Sequence, residues 1–127
     1  MSDELAVVLE QDAYRPGERV RGQAAWQCSK APRRASVRLF WQIRGSGVED
    51  AQVVDVHEIA PSQPSQEEAF EFCLPDEPYS YRGALFEIAW GVELLVDGRA
   101  ATASFAMFAG EPKAHVPGQT PNSPRAT

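Results

Sequence analysis

Apolar and polar residues alternate along most of the chain, and a period of two is typical of β-strands. In the longest run, residues 86–96, apolar side chains at every second position are separated by residues such as Glu87 and Glu93. Successive side chains of a strand lie on opposite faces of the sheet, so such a run has one buried face. The pattern occurs in seven runs: 5–9, 20–26, 37–43, 54–56, 70–74, 86–96 and 103–107.

Turn residues separate these runs. Arg15-Pro-Gly-Glu18 has the Pro-Gly pair of a type II turn, and Asp97-Gly98 is typical of a two-residue type I′ hairpin. No stretch repeats with a period of 3.6, so no helix is predicted. Seven short strands with frequent turns predict an all-β chain, folded as an immunoglobulin-like antiparallel β-sandwich.

The composition changes near residue 110. The chain has 127 residues, 43% of them hydrophobic, which is enough for one domain with its own core. Residues 110–127 contain four prolines and little to bury. We therefore expect a sandwich domain over residues 1–109 and a flexible Pro/Gly-rich tail over residues 110–127.

Charge is unevenly distributed. The net charge of −6 argues against a nucleic-acid-binding protein, which would carry a basic surface. Residues 15–44 carry eight bases against one acid, whereas residues 45–97 carry twelve acids against one base. The simpler interpretation is that these segments pair with each other across neighbouring strands. The alternative is a bipolar surface that orients a partner.

The sequence favours a cytoplasmic protein without metal or cofactor. The acidic N-terminus is unlike a signal peptide, and no apolar run approaches the ~20 residues that span a bilayer. Cys28 and Cys73 are therefore expected to be reduced thiols, with a disulfide across the sandwich as the alternative. Their spacing relative to His57 and His115 matches no zinc site.

No catalytic residues are predicted. The serines lack the G-x-S-x-G context of a nucleophile elbow, and no glycine-rich loop leads into a helix. His57 alternates with Val56 and is expected to face solvent beside Asp55 and Glu58. We therefore interpret it as a surface histidine rather than a general base. The sequence thus predicts a protein that is not an enzyme.

The aromatic residues fall on both faces of the strands. Trp26, Trp41 and Trp90 have the inward parity of their strands, which favours a role in the core; an exposed platform for stacking sugars is the alternative. Phe40 has the outward parity, with three polar neighbours of the same strand. Arginine and aromatic side chains are enriched at interfaces. We therefore predict a partner-binding set made of Arg38, Phe40, Gln42 and Arg44, unless loop or tail residues cover Phe40.

Two segments carry a family resemblance. Tyr14-Arg-Pro-Gly-Glu-Arg-Val-Arg-Gly22 resembles the Y-x-P-G-E-x-V-x-G signature in the first strands of arrestin-like domains. Here Pro16 and Gly17 would make the turn, Val20 would point inward and Gly22 would permit close backbone approach. The second segment is similar to the family's F-x-L-P…P-S…G…W-x-V-x-V pattern, through Phe72-Cys-Leu-Pro75, Pro78-Tyr-Ser80, Gly83 and Ile88-Ala-Trp90.

The resemblance implies a non-catalytic adaptor that binds another protein through a sheet face, a strand edge or loops. Arrestin-like proteins, which include bacterial sporulation-control relatives, pair two such sandwiches, whereas this chain has room for one. The missing second sandwich leads to the hypothesis that the chain forms a homodimer, in which a second copy replaces the second domain. No counterpart of the receptor arrestins' phosphate-sensing residues is identifiable. The alternative function is a sandwich module that binds carbohydrate or another small molecule.

Overall fold

Strands are the main elements of the described fold. The computed structural model describes residues 3–45 and 47–108, and within these ranges the chain forms nine strands. Seven are long and correspond to the seven predicted runs, while two are two-residue strands without a period of their own. The strands are β1 (Glu4–Leu9), β2 (Ala13–Tyr14), β3 (Arg19–Gln27), β4 (Ala35–Gly45), β5 (Val48–Ile59), β6 (Ser65–Cys73), β7 (Tyr81–Arg82), β8 (Glu87–Val96) and β9 (Arg99–Met107).

The strands form two sheets that face each other. The smaller sheet has the order β1-β3-β6, and the larger has the order β2-β9-β8-β4-β5, with β7 added beside the first residues of β8. Neighbouring strands are antiparallel except for β2, which runs parallel to β9. The all-β sandwich predicted from the alternating pattern is confirmed. The domain boundary predicted at 109/110 and the tail lie outside the described residues.

The core lies between the two sheets. The smaller sheet contributes residues such as Val20 and Phe72, and the larger contributes Val37, Leu39 and Val92 from its central strands. All of these occupy alternate positions, as the period-two pattern predicts. Every described residue that is fully buried in this core is hydrophobic, so no buried charge or polar side chain interrupts it.

The turn of the first motif is closed by its own residues. Gly17 has a φ of 82°, the conformation required at the third position of a type II turn, and the Glu18 amide donates to the Arg15 carbonyl oxygen. The Glu18 carboxylate in turn accepts from the Arg15 amide at 2.8 Å, and this bond lowers the pKa of Glu18. At Gly22 a Cβ would overlap the Val8 carbonyl oxygen, which explains the glycine.

The second motif joins β7 to the core. The Trp90 indole Nε1 donates to the Pro78 carbonyl oxygen at 2.7 Å. Two residues later, Ser80 is tied to Met107 twice, because its amide donates to the Met107 carbonyl oxygen and its Oγ accepts from the Met107 amide, both at 2.9 Å. These bonds place β7 beside the end of β9 and the start of β8.

The predicted type I′ hairpin is also present. Asp97 and Gly98 have φ values of 48° and 86°, so both central residues are left-handed. The Asp97 carboxylate accepts from the amides of Arg33 and Arg34 at 2.9–3.1 Å. These bonds hold the pKa of Asp97 below its usual value, and the bond from the Arg33 amide has the larger effect. The hairpin is thereby attached to the loop that precedes β4.

The alternation of residues 54–56 predicts that Val54 and Val56 face the core, and this prediction is wrong, because both are exposed. Leu39 is opposite Asp55 and Phe40 is opposite Val53, so a bulge leaves Val54 without a partner on β4. The bulge shifts the parity: Val56 is exposed on the outer face. His57, expected to face solvent, is instead half-buried on the inner face opposite Val37.

The basic and acidic segments pair in part, as the simpler interpretation predicts. Glu71 on β6 accepts from Arg19 and Arg21 of β3, each at 2.8 Å. The Arg21 side chain is the main cause of the lowered pKa of Glu71. Cys28 and Cys73 are free thiols, so the disulfide alternative is wrong.

Candidate partner-binding groove

A groove of about 530 Å³ lies on the outer face of the larger sheet. Its floor is formed by the ends of β4, β8 and β9, and its rim includes β7 and the residue after β9. We call it the outer groove. The residues that line it include Phe40, Gln42, Arg44, Tyr81, Arg82 and Phe108.

Phe40 forms part of the floor because its neighbour on β8 is a glycine. Phe40 is opposite Gly91, and a Cβ on Gly91 would lie 2.8 Å from Cζ of the Phe40 ring. The ring therefore lies across the glycine, which leaves it half-buried rather than fully exposed. Phe40 has the outward parity that the sequence predicts.

The polar members of the predicted set occupy different positions. Gln42 and Arg44 line the groove with Phe40, and Arg44 lies 4.0 Å from the Glu87 carboxylate across the sheet. Arg38 lies one step further along the same face, opposite Glu93 and Val56, and does not line the groove. The structure thus brings three of the four predicted residues together at one site.

The rim carries two exposed aromatic residues that the sequence pattern did not single out, Tyr81 and Phe108. Tyr81 packs against Phe86, which does not itself line the groove, with ring centroids 4.9 Å apart and an angle of 34° between the rings. Phe108 follows β9 on the opposite side. The alternation of residues 86–96 predicts an inward-facing Phe86, and that prediction is wrong: Phe86 is exposed, and β8 begins at Glu87, after a turn in which the Gly83 amide donates to the Phe86 carbonyl oxygen.

The end of β4 explains how the segment Leu85–Phe86, which precedes β8, approaches the sheet. Gly45 has a φ of 149°, and a Cβ there would lie 2.6 Å from Cα of Phe86 and would overlap the Leu85 carbonyl oxygen. Only a glycine lets the segment Leu85–Phe86 pass so close to β4. The Gly45-Ser-Gly47 loop was the available sequence signal, because a glycine at the end of a strand often marks such an approach.

A second hollow in the described part of the chain lacks this combination of groups. A shallow depression of about 810 Å³ lies at the end of the smaller sheet, and its polar wall includes Asp3, Glu4, Gln66 and Glu67. It is larger than the outer groove, but it presents neither an exposed aromatic ring nor an arginine. Within residues 3–45 and 47–108, no three His, Cys, Asp or Glu side chains lie together as metal ligands do.

The tryptophans do not form a sugar-binding platform. Trp26 and Trp90 are buried, which confirms their inward parity, and Trp41 is half-buried against the core. The Trp26 indole donates to the Gln63 carbonyl oxygen at 3.1 Å, so its N–H group is also bonded within the fold. The carbohydrate alternative therefore loses the residues that suggested it.

The architecture matches a solved structure. No protein-family profile and no curated protein sequence matches the chain. The sandwich is similar to the crystal structure of Spo0M, the sporulation control protein from Bacillus subtilis, with a TM-score of 0.62 and 20% sequence identity. The chain has the arrestin-like fold. The match covers 87% of this chain and 51% of Spo0M, so the chain spans about half the length of that protein.

Both motifs have a structural role in this sandwich: the first closes the turn before β3 and the second fixes β7 beside β8. At this level of identity the likeness establishes the fold and leaves the function to be argued from the site. The described part of the chain contains no helix with the length and hydrophobicity needed to cross a bilayer.

Proposed function

We propose that the protein is a non-catalytic interaction module that binds a segment of a partner protein in the outer groove. The observation that carries this proposal is the group of exposed rings around an arginine pair: Tyr81 is 50% exposed and Phe108 49% exposed, beside Arg44 and Arg82. Exposed rings beside arginines are typical of the centre of an interface, where burial of a few such side chains supplies most of the binding energy.

A non-enzymatic role agrees with the chemistry of the groove. Its titratable side chains, among the residues that the structure describes, are Arg44, Arg82, Glu87 and Tyr81, and its polar groups include the hydroxyls of Thr102 and Ser104 on β9. A nucleophile would need a base within hydrogen-bond reach, and no described histidine or cysteine lines the groove. We propose a cytoplasmic location as well, which the free thiols of Cys28 and Cys73 support.

The domain organisation and the oligomeric state belong to the same proposal. We propose a single sandwich over residues 1–109 followed by a tail over residues 110–127. Homodimerisation would give the sandwich the second domain with which arrestin-like proteins work. Light scattering at high protein concentration tests it: a mass twice that of the 14.0 kDa chain supports the dimer, and a monomer mass contradicts it.

Removal of the rim aromatics tests the groove. The variant Tyr81→Ser/Phe108→Ser is compared with wild type by quantitative affinity capture from the source cells, with Val8→Ser as the control. Val8 is a matched control because it is 62% exposed, lies on the smaller sheet and is also apolar. All three side chains are exposed, so we expect each variant to keep the melting temperature of wild type within a few degrees.

We expect wild type and Val8→Ser to capture the same partner protein. The amount captured by the double variant should be at least tenfold lower. Loss of two rim aromatics from a protein interface corresponds to about 2 kcal/mol or more. Equal capture by all three proteins would contradict the proposal. If the captured material is glycan rather than protein, the Tyr81–Phe86 pair serves the carbohydrate alternative instead.

A further inference from the structure

Strand β5 is an open edge of the larger sheet. Among the described strands it is hydrogen-bonded to β4 alone, so no described strand pairs with its other side. An edge of this kind presents backbone donors and acceptors to any extended segment that approaches. The edge is separate from the outer groove, which is lined by β4, β7, β8 and β9.

The middle of this edge is apolar and exposed. Val53, Val54 and Val56 are 38–44% exposed, although valine is usually buried in a strand. Val53 is opposite Phe40 on the outer face of the sheet, so the valines continue the apolar surface that begins in the outer groove. The bulge at Val54 adds to this exposure by turning Val56 to the outer face.

The same edge also carries acidic side chains, at both of its ends and between Val54 and Val56. Glu49, Asp50, Asp55 and Glu58 all lie on β5, and none forms an ion pair within the described part of the chain. No lysine or arginine lies on the strand. Paired with itself, this edge would place acids beside acids, and like charges on adjacent strands are destabilising. A second copy of the chain is therefore a poor occupant, and a basic segment is a good one.

Two of the acids also occupy positions that an added strand would use. Oδ1 of Asp50 accepts from the Ala51 amide and Oδ1 of Asp55 accepts from the Val56 amide, each at 2.9 Å. A carbonyl oxygen of an added strand would have to displace either carboxylate. A lysine or arginine on that strand would then pair with the displaced carboxylate, whereas a neutral strand would leave it without a partner.

We propose that β5 binds an extended, basic segment of a partner protein by strand addition. The register follows from β4: Asp50 is opposite Ile43 and Asp55 is opposite Leu39, four residues apart, because the bulge adds one residue to β5. The segment therefore carries basic side chains at positions i and i+4, which share one face. β-Branched apolar side chains at i+1, i+3 and i+5 lie on the other face, beside Val53 and Val56.

Titration with a synthetic peptide tests this assignment. The peptide contains Lys-Val-Thr-Val-Lys-Val between Gly-Ser flanks and is added to the full, ¹⁵N-labelled chain while backbone amide shifts are recorded. We expect the amide shifts to concentrate on β5, with a dissociation constant that weakens as salt rises from 50 to 300 mM. Shifts that concentrate in the outer groove, or no shift at millimolar peptide, would overturn the assignment.

Two changed peptides separate strand addition from simple charge attraction. Replacement of both lysines by glutamate removes the ion pairs, and we expect binding to disappear. Methylation of alternate backbone nitrogens keeps the lysines but removes the donors on one edge, so one of the two possible methylation patterns must abolish binding. If both methylated peptides bind as well as the parent, the contact is electrostatic only and strand addition is wrong.

Matched protein variants test the role of the two aspartates. Asp50→Asn/Asp55→Asn keeps a side-chain oxygen that can accept from each following amide and removes only the charge. We expect the affinity for the lysine peptide to fall about three- to tenfold, the range for two exposed ion pairs. Glu4→Gln/Glu67→Gln removes two exposed acids from the smaller sheet and should leave the affinity unchanged. Equal losses for both double variants would assign the binding to net charge rather than to β5.

Discussion

Replacement of Trp90 by phenylalanine tests how the second motif holds the outer groove. The indole donates to the Pro78 carbonyl oxygen at 2.7 Å, and the ring stacks on Phe105 with centroids 5.8 Å apart. Phenylalanine keeps an aromatic ring in the core but cannot donate. The change removes one hydrogen bond, leaves a partly buried carbonyl oxygen without its partner and makes a small cavity.

The expected loss is about 2–3 kcal/mol in the free energy of unfolding. Roughly 1 kcal/mol comes from the bond and the remainder from the unpaired carbonyl oxygen and the smaller ring. For a domain of this size the loss corresponds to a fall of about 10 °C in the melting temperature. Urea unfolding followed by circular dichroism gives the free energy, and hydrogen exchange at Tyr81 reports whether β7 loosens with it.

Trp41→Phe is the matched control. Trp41 is half-buried and its indole makes no hydrogen bond within the described structure, so the same change should cost about 1 kcal/mol or less. The exchange rate at Tyr81 should stay at its wild-type value in this variant. If Trp90→Phe and Trp41→Phe are equally stable, the bond to Pro78 does not hold β7 and the reasoning is refuted.

Two further changes test the turns that frame the sandwich. Gly22→Ala should cost about 3 kcal/mol or more by urea unfolding, because the new methyl group overlaps the Val8 carbonyl oxygen; Gly98→Ala, which meets open space at a φ of 86°, should cost only about 1 kcal/mol. Similar losses for the two variants would contradict the packing argument. Asp97→Asn tests the pKa lowered by the Arg33 amide: since the folded pKa lies below the unfolded 3.8, the carboxylate stabilises the fold above that pH and loses this effect as pH falls through the folded value. The melting temperatures of wild type and Asp97→Asn should therefore differ most above pH 5 and converge on acidification, and a difference independent of pH would count against it.

The long strands were predictable because both sheets bury one face. In β3, for example, burial at Val20, Ala24 and Trp26 requires an apolar residue at every second position, and this requirement is visible in the sequence. Turns with a special backbone conformation were equally visible, since Pro16-Gly17 and Asp97-Gly98 are residue pairs that favour those conformations.

The parts that were missed leave no periodic signal. A strand of two residues, such as β2 or β7, is too short to show alternation. In β5 the inner face is covered only near Ile59, so burial imposes no pattern on the rest of the strand, and the bulge at Val54 then reverses the parity. Phe86 continues the alternation of β8 by chance, although the strand begins one residue later.

Only the β4 side of the candidate groove could be predicted from the sequence. Parity placed Phe40 and Arg44 on the outer face, because both belong to one regular strand. Tyr81, Arg82 and Phe108 reach the same groove through the pairing of β7 and the end of β9, and such long-range placement depends on bonds like that of Trp90 to Pro78. No local pattern encodes it.

Site-specific photo-crosslinking measures most directly whether the outer groove is a protein-binding site. Benzoylphenylalanine replaces Tyr81 in the groove or, as the control, Val8 on the smaller sheet; both positions are exposed and apolar. On irradiation in the source cells, we expect a discrete crosslinked protein from position 81 and none from position 8. The yield at position 81 should fall when Arg44→Glu is added. Equal crosslinking from both positions, or none from position 81, would contradict the assignment of the outer groove as a protein-binding site.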